Sequence, residues 1–367
     1  MIIQSIEAFQ VAVPLKKPFK TALRTVTVAE SIYVRVTVED GRVGWGEAPP
    51  TFVITGETLG SIQYAIEKVF TPLLNGQDLR FYEQVFQKLH TALVGNTSAK
   101  AAIDMALYDL ISQRADQPLY QFLGGHNKEI ETDYTVSVNT PEEMSADAAK
   151  YITNGFHVLK VKVGIGEITE DIARIKAIRD EIGYATKLRL DANQGWNAKE
   201  AVYAISKMED LGLDIEFIEQ PVLAHDVHGL KFVTDHTLTP IMADESVFSV
   251  HDAKTILEMR AADLINIKLM KAGGIYQALK INALAESYGV QCMTGSMIET
   301  KIGITAAAHF AASQPNIQYY DFDAPLMLKF ETIKGGVIYK ESKICFSGRS
   351  GLGIEEVLRR ELDDSIT

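Results

Sequence analysis

Three carboxylates and three lysines recur between residues 160 and 268 of this chain. Asp191 closes Arg189-Leu190-Asp191, Glu219 closes Phe217-Ile218-Glu219, and Asp244 closes Met242-Ala243-Asp244. Each ends a short apolar run, and such a run bounded by polar turn residues reads as a strand. Like charges gathered at neighbouring strand ends repel one another and shift towards their neutral forms unless a cation sits among them. An all-oxygen set suits a hard divalent ion, and Mg2+ keeps positions open for water and substrate oxygens. No His or Cys pair at zinc spacing accompanies these acids, so zinc is disfavoured. A lone acid after a strand is more often a helix N-cap, but three in register are poorly explained that way. We therefore expect Asp191, Glu219 and Asp244 to hold one Mg2+ per subunit.

The lysines flank these acids. Lys160 and Lys162, in Leu159-Lys-Val-Lys-Val163, share one face of a strand because side chains alternate. Lysine is almost never fully buried without a partner, so this pair needs anions nearby. Beside the acids, Lys160 stays a cation and, together with a metal ion, favours the neutral amine at Lys162, which makes Lys162 a base. Lys268 ends Ile265-Asn-Ile-Lys268, four strands further on, and so faces Lys162 across an eight-strand ring. A carbon held between two such amines can lose a proton to one and regain one from the other, which inverts a stereocentre. Asp321-Phe-Asp323 offers two more carboxylates on one face, for which a substrate ammonium group is the natural partner. Arg24, in a loop between early strands, has the reach of a lid residue that pairs with a carboxylate. The plainer readings are snorkelling lysines, a strand terminator at Asp321-x-Asp323 and a solvated loop arginine.

Elements must bring these residues together. The apolar runs end near Val138, Lys162, Asp191, Glu219, Asp244, Lys268, Ser296 and Asp321, at intervals of 24 to 29 residues. That interval fits one strand, one helix and two loops, and eight repeats predict a (β/α)8-type barrel. Active sites of such barrels lie at the carboxyl ends of the strands, where all of these residues fall. Thr140-Pro141-Glu-Glu143 and Asn197-Ala-Lys-Glu200 are helix-start signals, the second leading an apolar stripe through Ala201, Ile205 and Met208. Residues 1–46 alternate like strands, as in Ile32–Val38, with a hairpin turn at Asp40-Gly41. Residues 62–123 carry helical spacing closed by Gly124-Gly125, which predicts an α+β lobe. After Asp323 the helical pattern stops, and residues 333–347 read as strands with Gly335-Gly336 as their turn. The expected division is a capping lobe at 1–125, a barrel at 126–323, and a segment at 324–367 that packs back on the cap.

Composition narrows the function classes. Lys and Arg number 36 against 48 Asp and Glu, a net charge of −12, which argues against a nucleic-acid partner. The apolar share of 47% and charged share of 23% suit an ordinary soluble protein. Two cysteines exclude a disulfide framework and fit a reducing, cytoplasmic setting. No secretory signal and no long apolar run is visible, so no membrane partner is expected. Gly164-x-Gly166 lacks the third glycine of a dinucleotide fingerprint. Gly273-Gly274 resembles a phosphate-cradling turn, but turns use glycine routinely and no site is claimed there, and Cys292 reads as core.

Lys160-x-Lys162, Asp191-Ala-Asn, Glu219-Gln-Pro, Asp244-Glu-Ser and Lys268, with Gly44-Trp-Gly46-Glu-Ala near the start, resemble the enolase superfamily, muconate-lactonising subgroup. The resemblance spans essentially the whole chain. It implies an α+β capping domain on a modified (β/α)7β barrel, and a Lys base with Mg2+ that stabilises an ene-diolate. Within the subgroup, Asp321-x-Asp323 and Gly295-Ser-Met-Ile-Glu299 are most similar to dipeptide epimerases of the L-Ala-D/L-Glu type. That likeness implies that Asp321 and Asp323 take the dipeptide ammonium, that Thr135, Lys160 and Ser296 contact substrate, and that Arg24 meets a glutamate side chain. Apolar Phe19, Phe52, Val53 and Ile54 instead suit a hydrophobic side chain, so the preferred dipeptide stays open. The alternatives are a cycloisomerase, an o-succinylbenzoate synthase, an N-acylamino acid racemase, or a barrel without catalysis. Assembly into a homo-oligomer is compatible with all of them.

Overall fold

The chain opens on three antiparallel strands, β1 (Ile3–Lys20), β2 (Thr25–Val38) and β3 (Val43–Ala48), lying side by side in that order in the computed structural model, which describes residues 1–358. Alternation drives them: Ile32, Val34, Val36 and Val38 all turn to the core. The β2–β3 connection falls at Asp40-Gly41 as read from the sequence.

A long helix, Thr97–Arg114, follows, and every residue from Ser98 to Ser112 is buried. The sheet packs directly against it. A methyl group on Gly46 would lie 1.8 Å from the Ala102 carbonyl oxygen, so only glycine permits this approach.

A short strand β4 (Glu129–Glu131) leads into eight strands in parallel, hydrogen-bonded in sequence order. They are β5 (Tyr134–Val136), β6 (Val158–Lys162), β7 (Lys187–Asp191), β8 (Ile215–Glu219), β9 (Ile241–Ala243), β10 (Leu264–Ile267), β11 (Cys292–Thr294) and β12 (Ile317–Tyr320). The Asp133 N–H donates to the Tyr320 carbonyl at 3.3 Å and the Phe322 N–H to Thr132 Oγ1 at 2.8 Å, which brings the last strand round to the first. This is the barrel with an antiparallel cap that the sequence predicts. Two strands stop two residues before their expected ends, at Val136 and Thr294 rather than Val138 and Ser296. Apolar character runs past the point where the hydrogen-bond ladder lets go. Asn197 and Glu200 form the expected reciprocal helix cap, whereas at Thr140 only the bond from the Glu143 N–H forms.

The tail departs from expectation in two ways. Residues Ala324–Met327 form one further helical turn. Gly335-Gly336 does not join a hairpin: β13 (Ile333–Gly335) pairs with β16 (Ile354–Val357), while β14 (Ile338–Lys340) pairs with β15 (Lys343–Cys345), which pairs with β4. The glycines redirect the chain between two small sheets instead. The tail meets the N-terminal lobe where Tyr33 donates to Thr332 Oγ1 at 2.6 Å and the Leu352 N–H donates to Asp109 at 2.9 Å. Of the expected packing of 324–367, residues 359–367 lie outside the described residues. Among the described residues, no helix is long and apolar enough to cross a membrane. Cys292 is buried in β11, as read from the sequence, and neither cysteine is in a disulfide.

One core histidine gives a test of folding. His309, in helix Lys301–Ser313, is buried and its Nδ1 accepts the Tyr120 N–H at 3.0 Å. Burial pushes it down to about 3. Between its unfolded value near 6.5 and that lower value, the unfolded chain binds a proton that the folded one refuses, so this contribution to stability is lost as pH falls. A slope of about 1.4 kcal/mol per pH unit is expected across pH 6 to 4. Denaturant midpoints for His309→Asn should lack that component; an unchanged slope would contradict it.

Candidate active site

The carboxyl ends of the barrel strands and the N-terminal lobe line a common cavity. The barrel contributes Thr135, Lys160, Lys162 and Lys268, then Ser296, Asp321 and Asp323. The lobe contributes Phe19, Arg24, Val53 and Ile54. Phe52 does not join them; it is 61% exposed and turned to solvent. Its neighbours follow the wall while its own side chain points away.

Lys160 sits at the centre, almost wholly buried. Its Nζ lies 2.7 Å from Glu219 Oε2, 2.9 Å from Asp321 Oδ2 and 3.2 Å from Asp191 Oδ2. Burial works against its charge, but Asp321, Glu219 and Asp191 prevail and raise it well above the ordinary lysine value. Lys162 Nζ lies 2.6 Å from Asp191 Oδ2, with the Phe19 ring 5.8 Å away. Lys268 Nζ lies 2.6 Å from Asp244 Oδ2 on the far side of the ring. Burial lowers Lys268, and Asp244 with Glu219 more than reverses this, so it is held protonated.

The acids are tuned apart. Burial raises Asp191, yet Lys162, Lys160 and Lys268 bring it down to about 2. Glu219 goes the other way, to about 7, through burial and the charge of Asp191. Asp323 rises to about 7 through burial and the neighbouring Asp321. The Thr135 N–H donates to Asp323 Oδ2 at 2.6 Å, and Ser296 Oγ donates to the Asp321 carbonyl at 3.2 Å.

The three expected metal acids thus stand at adjacent strand ends, but their oxygens are turned to lysines. Asp191 and Glu219 converge on Lys160, while Asp244 faces Lys268 and Lys271. Among the described residues, no three His, Cys, Asp or Glu side chains stand at the spacing that holds a metal ion. The chemistry of the donors still fits one. Glu219 Oε2 and Asp244 Oδ1 are buried and accept no hydrogen bond, meeting only ammonium groups. The buried acids here, Asp191, Glu219, Asp244, Glu245, Asp321 and Asp323, outnumber the buried lysines Lys160, Lys162, Lys268 and Lys271. All-oxygen donors with that imbalance suit a hard divalent cation.

Several supports were not singled out from the sequence. Lys271 Nζ lies 2.7 Å from Asp244 Oδ1. Asn266 Nδ2 donates to Glu219 Oε1 at 2.7 Å, and Gln220 Oε1 accepts the Asp244 N–H at 2.9 Å. Gln220 (φ 36°) and Asn193 (φ 41°) hold left-handed backbone right after the acid-bearing strands. A polar amide within two residues of Asp191 and of Glu219 is the signal that marks Asn193 and Gln220 in the sequence.

A parallel barrel with acids on three successive strands, lysines on the second and sixth, and a sheet-and-helix cap over the mouth defines the enolase class of architecture. The chain belongs to the mandelate racemase / muconate lactonizing enzyme family: residues 4–124 match the N-terminal domain of that family, and residues 143–357 match the enolase C-terminal domain-like family. It is 61% identical over 354 residues to the L-Ala-D/L-Glu epimerase of Bacillus subtilis, which covers 96% of this chain and 97% of that protein. It is 45% identical over 344 residues to the hydrophobic dipeptide epimerase of Enterococcus faecalis, covering 93% and 96%. The structure of a substrate-liganded complex of the Bacillus subtilis L-Ala-D/L-Glu epimerase superposes with a TM-score of 0.97 at 60% identity, covering 98% of this chain and 100% of that one. The Enterococcus faecalis dipeptide epimerase complexed with Mg and L-Leu-L-Tyr gives a TM-score of 0.93 at 44% identity, covering 97% and 100%.

Proposed function

We propose that this protein is a dipeptide epimerase that inverts the α-carbon of the C-terminal residue of an L,L-dipeptide by two-base proton transfer. The carrying observation is that Lys162 and Lys268, from strands four apart, line one cavity. In this reading the division into a cap at 1–125, a catalytic barrel at 126–323 and a returning segment from 324 is also proposed. Asp321 and Asp323 receive the dipeptide ammonium, and Thr135 and Ser296 contact the substrate beside them, where the Thr135 N–H also donates to the Asp323 carboxylate and Ser296 Oγ to the Asp321 backbone carbonyl. The free ammonium is what favours a dipeptide over the substrates of cycloisomerases, o-succinylbenzoate synthases or N-acylamino acid racemases. Lys160 places a permanent positive charge beside the substrate carboxylate. Lys162 and Lys268 remove and return the α-proton on opposite faces. Asp191, Glu219 and Asp244 would hold Mg2+, which supplies positive charge to offset the negative charge that builds as the proton leaves.

The side chain of the inverted residue meets Arg24. Burial lowers the guanidinium from its ordinary value, and among the described residues no carboxylate pairs with it. An unpaired, largely desolvated cation favours an acidic C-terminal residue such as that of Ala-Glu. Phe19, Val53 and Ile54 on the same cavity favour an apolar one. Incubation of an L,L-dipeptide panel with Mg2+ in D2O should place deuterium at the C-terminal α-carbon and yield the L,D product. Arg24→Met should lower kcat/KM for Ala-Glu roughly tenfold to hundredfold while sparing apolar dipeptides. Absence of exchange across the panel rejects the reading; a uniform loss in Arg24→Met rejects the acidic preference alone.

A further inference from the structure

The two residues that follow Gly273-Gly274 bind a carboxylate of the chain itself. Asp104, midway along the long helix of the N-terminal lobe, is fully buried. Its Oδ1 accepts the Ile275 N–H at 2.6 Å and its Oδ2 the Tyr276 N–H at 3.3 Å. These are free donors at the start of helix Ile275–Ser287, where a carboxylate is doubly favoured. His90 Nε2 stands 3.5 Å from Oδ2. Gly274 has φ 114°, and a methyl group there would lie 2.3 Å from the Asp104 carboxyl carbon. The turn is therefore shaped around this one side chain.

What the turn secures lies on its other side. The single helical turn Leu269–Ala272 connects it to Lys268, and the Gly273 and Gly274 N–H groups both donate to the Leu269 carbonyl at 2.9 Å. From the barrel side, Lys271 in that helical turn reaches Asp244 at 2.7 Å and donates to the Asn266 carbonyl at 3.1 Å. The segment after Lys268 is thus pinned from within by Lys271 and from the cap by Asp104. Lys162 has no such hydrogen-bonded tie to the cap, whose Phe19 ring only faces its Nζ at 5.8 Å; it is the last residue of β6 and is held by that strand and by Asp191.

We propose that Asp104 is a positioning residue for Lys268, so that the capping lobe sets the reach of one of the two bases and not of the other. This rests on the two-base reading above. A displacement of one reacting amine by a fraction of an ångström to an ångström is enough to cost about tenfold to hundredfold in rate. The step affected is the proton transfer at Lys268 alone.

The measurement is the rate of α-proton exchange with D2O, taken separately from the L,L and the L,D epimer. Lys162→Ala and Lys268→Ala assign which epimer each lysine deprotonates. Asp104→Asn keeps the shape and removes the charge, and it should slow exchange of the Lys268 epimer about tenfold or more while the Lys162 epimer changes less than about threefold. Gly273→Ala strains the same turn at φ 89° without touching Asp104 and should shift the ratio the same way, which covers an Asp104→Asn protein that fails to fold. Asp109→Asn is the control. That aspartate lies on the same helix but binds the Trp45 and Leu352 N–H groups, so it should lower thermal stability with the ratio unchanged. Equal slowing of both epimers, or no slowing, overturns the inference. Absence of exchange from either epimer in the wild type overturns the two-base reading instead.

Discussion

Lys162→Ala and Lys268→Ala are each expected to lower epimerisation by at least about 10³-fold, the upper part of what a positioned acid or base contributes. Inversion needs both faces of the carbon, so one amine cannot stand in for the other. Each variant should nevertheless keep exchanging the α-proton of one epimer, because the remaining lysine can remove and return a proton on its own face. Folding should survive both changes. Asp191 still has Lys160 at 3.2 Å when Lys162 is removed, and Asp244 still has Lys271 at 2.7 Å when Lys268 is removed. Proton NMR in D2O on both epimers checks the pattern. Retained epimerisation in either variant would end the two-base account, and loss of all exchange in both would point to one lysine acting through the other.

The second large effect concerns the divalent ion. Treatment with a chelator is expected to reduce activity by roughly 10²-fold or more, and added Mg2+ should restore it. Two consequences of the charge balance combine here. Without the ion, Lys268 is kept protonated by Asp244 and Glu219 despite its burial, and an ammonium group cannot accept a proton. The substrate carboxylate also loses the positive charge that would share the electrons of the broken C–H bond. The stripped protein should stay folded, since every one of the three acids has a lysine within hydrogen-bonding distance. Mg2+ at a hundred times its dissociation constant should then add about 2.7 kcal/mol of stability. Glu219→Gln should weaken Mg2+ binding and activity together. Full activity in the presence of chelator would remove the metal from the account.

Strand-end chemistry was legible because six of the eight barrel runs stop at a charge, all but those ending near Val138 and Ser296. The repeat interval therefore carried Lys162, Asp191 and Glu219 to the ends of β6, β7 and β8, where the structure places them. Lys271 was not legible. It falls three residues after Lys268 in what reads as an ordinary helix start, and only the distant Asp244 makes its burial tolerable. Asp104 was hidden for the same reason, since its donors lie about 170 residues downstream. Gly335-Gly336 does mark a change of direction, but a glycine pair does not say which strands it separates. The ion pairing of the acids also lay beyond the sequence, because it depends on which oxygen each side chain turns towards which amine.

The long helix from Thr97 to Arg114 carries a consequence for how such a protein can change. It is wrapped by the cap sheet on one side and by barrel segments on the other, so either half expressed alone would leave it with a wet apolar flank. Chimaeras that trade whole halves with a homologue would have to match this seam residue by residue. The rim side chains at Phe19, Arg24, Val53 and Ile54 carry no such burden, and recombination or drift can revise them while the machinery beneath is inherited intact.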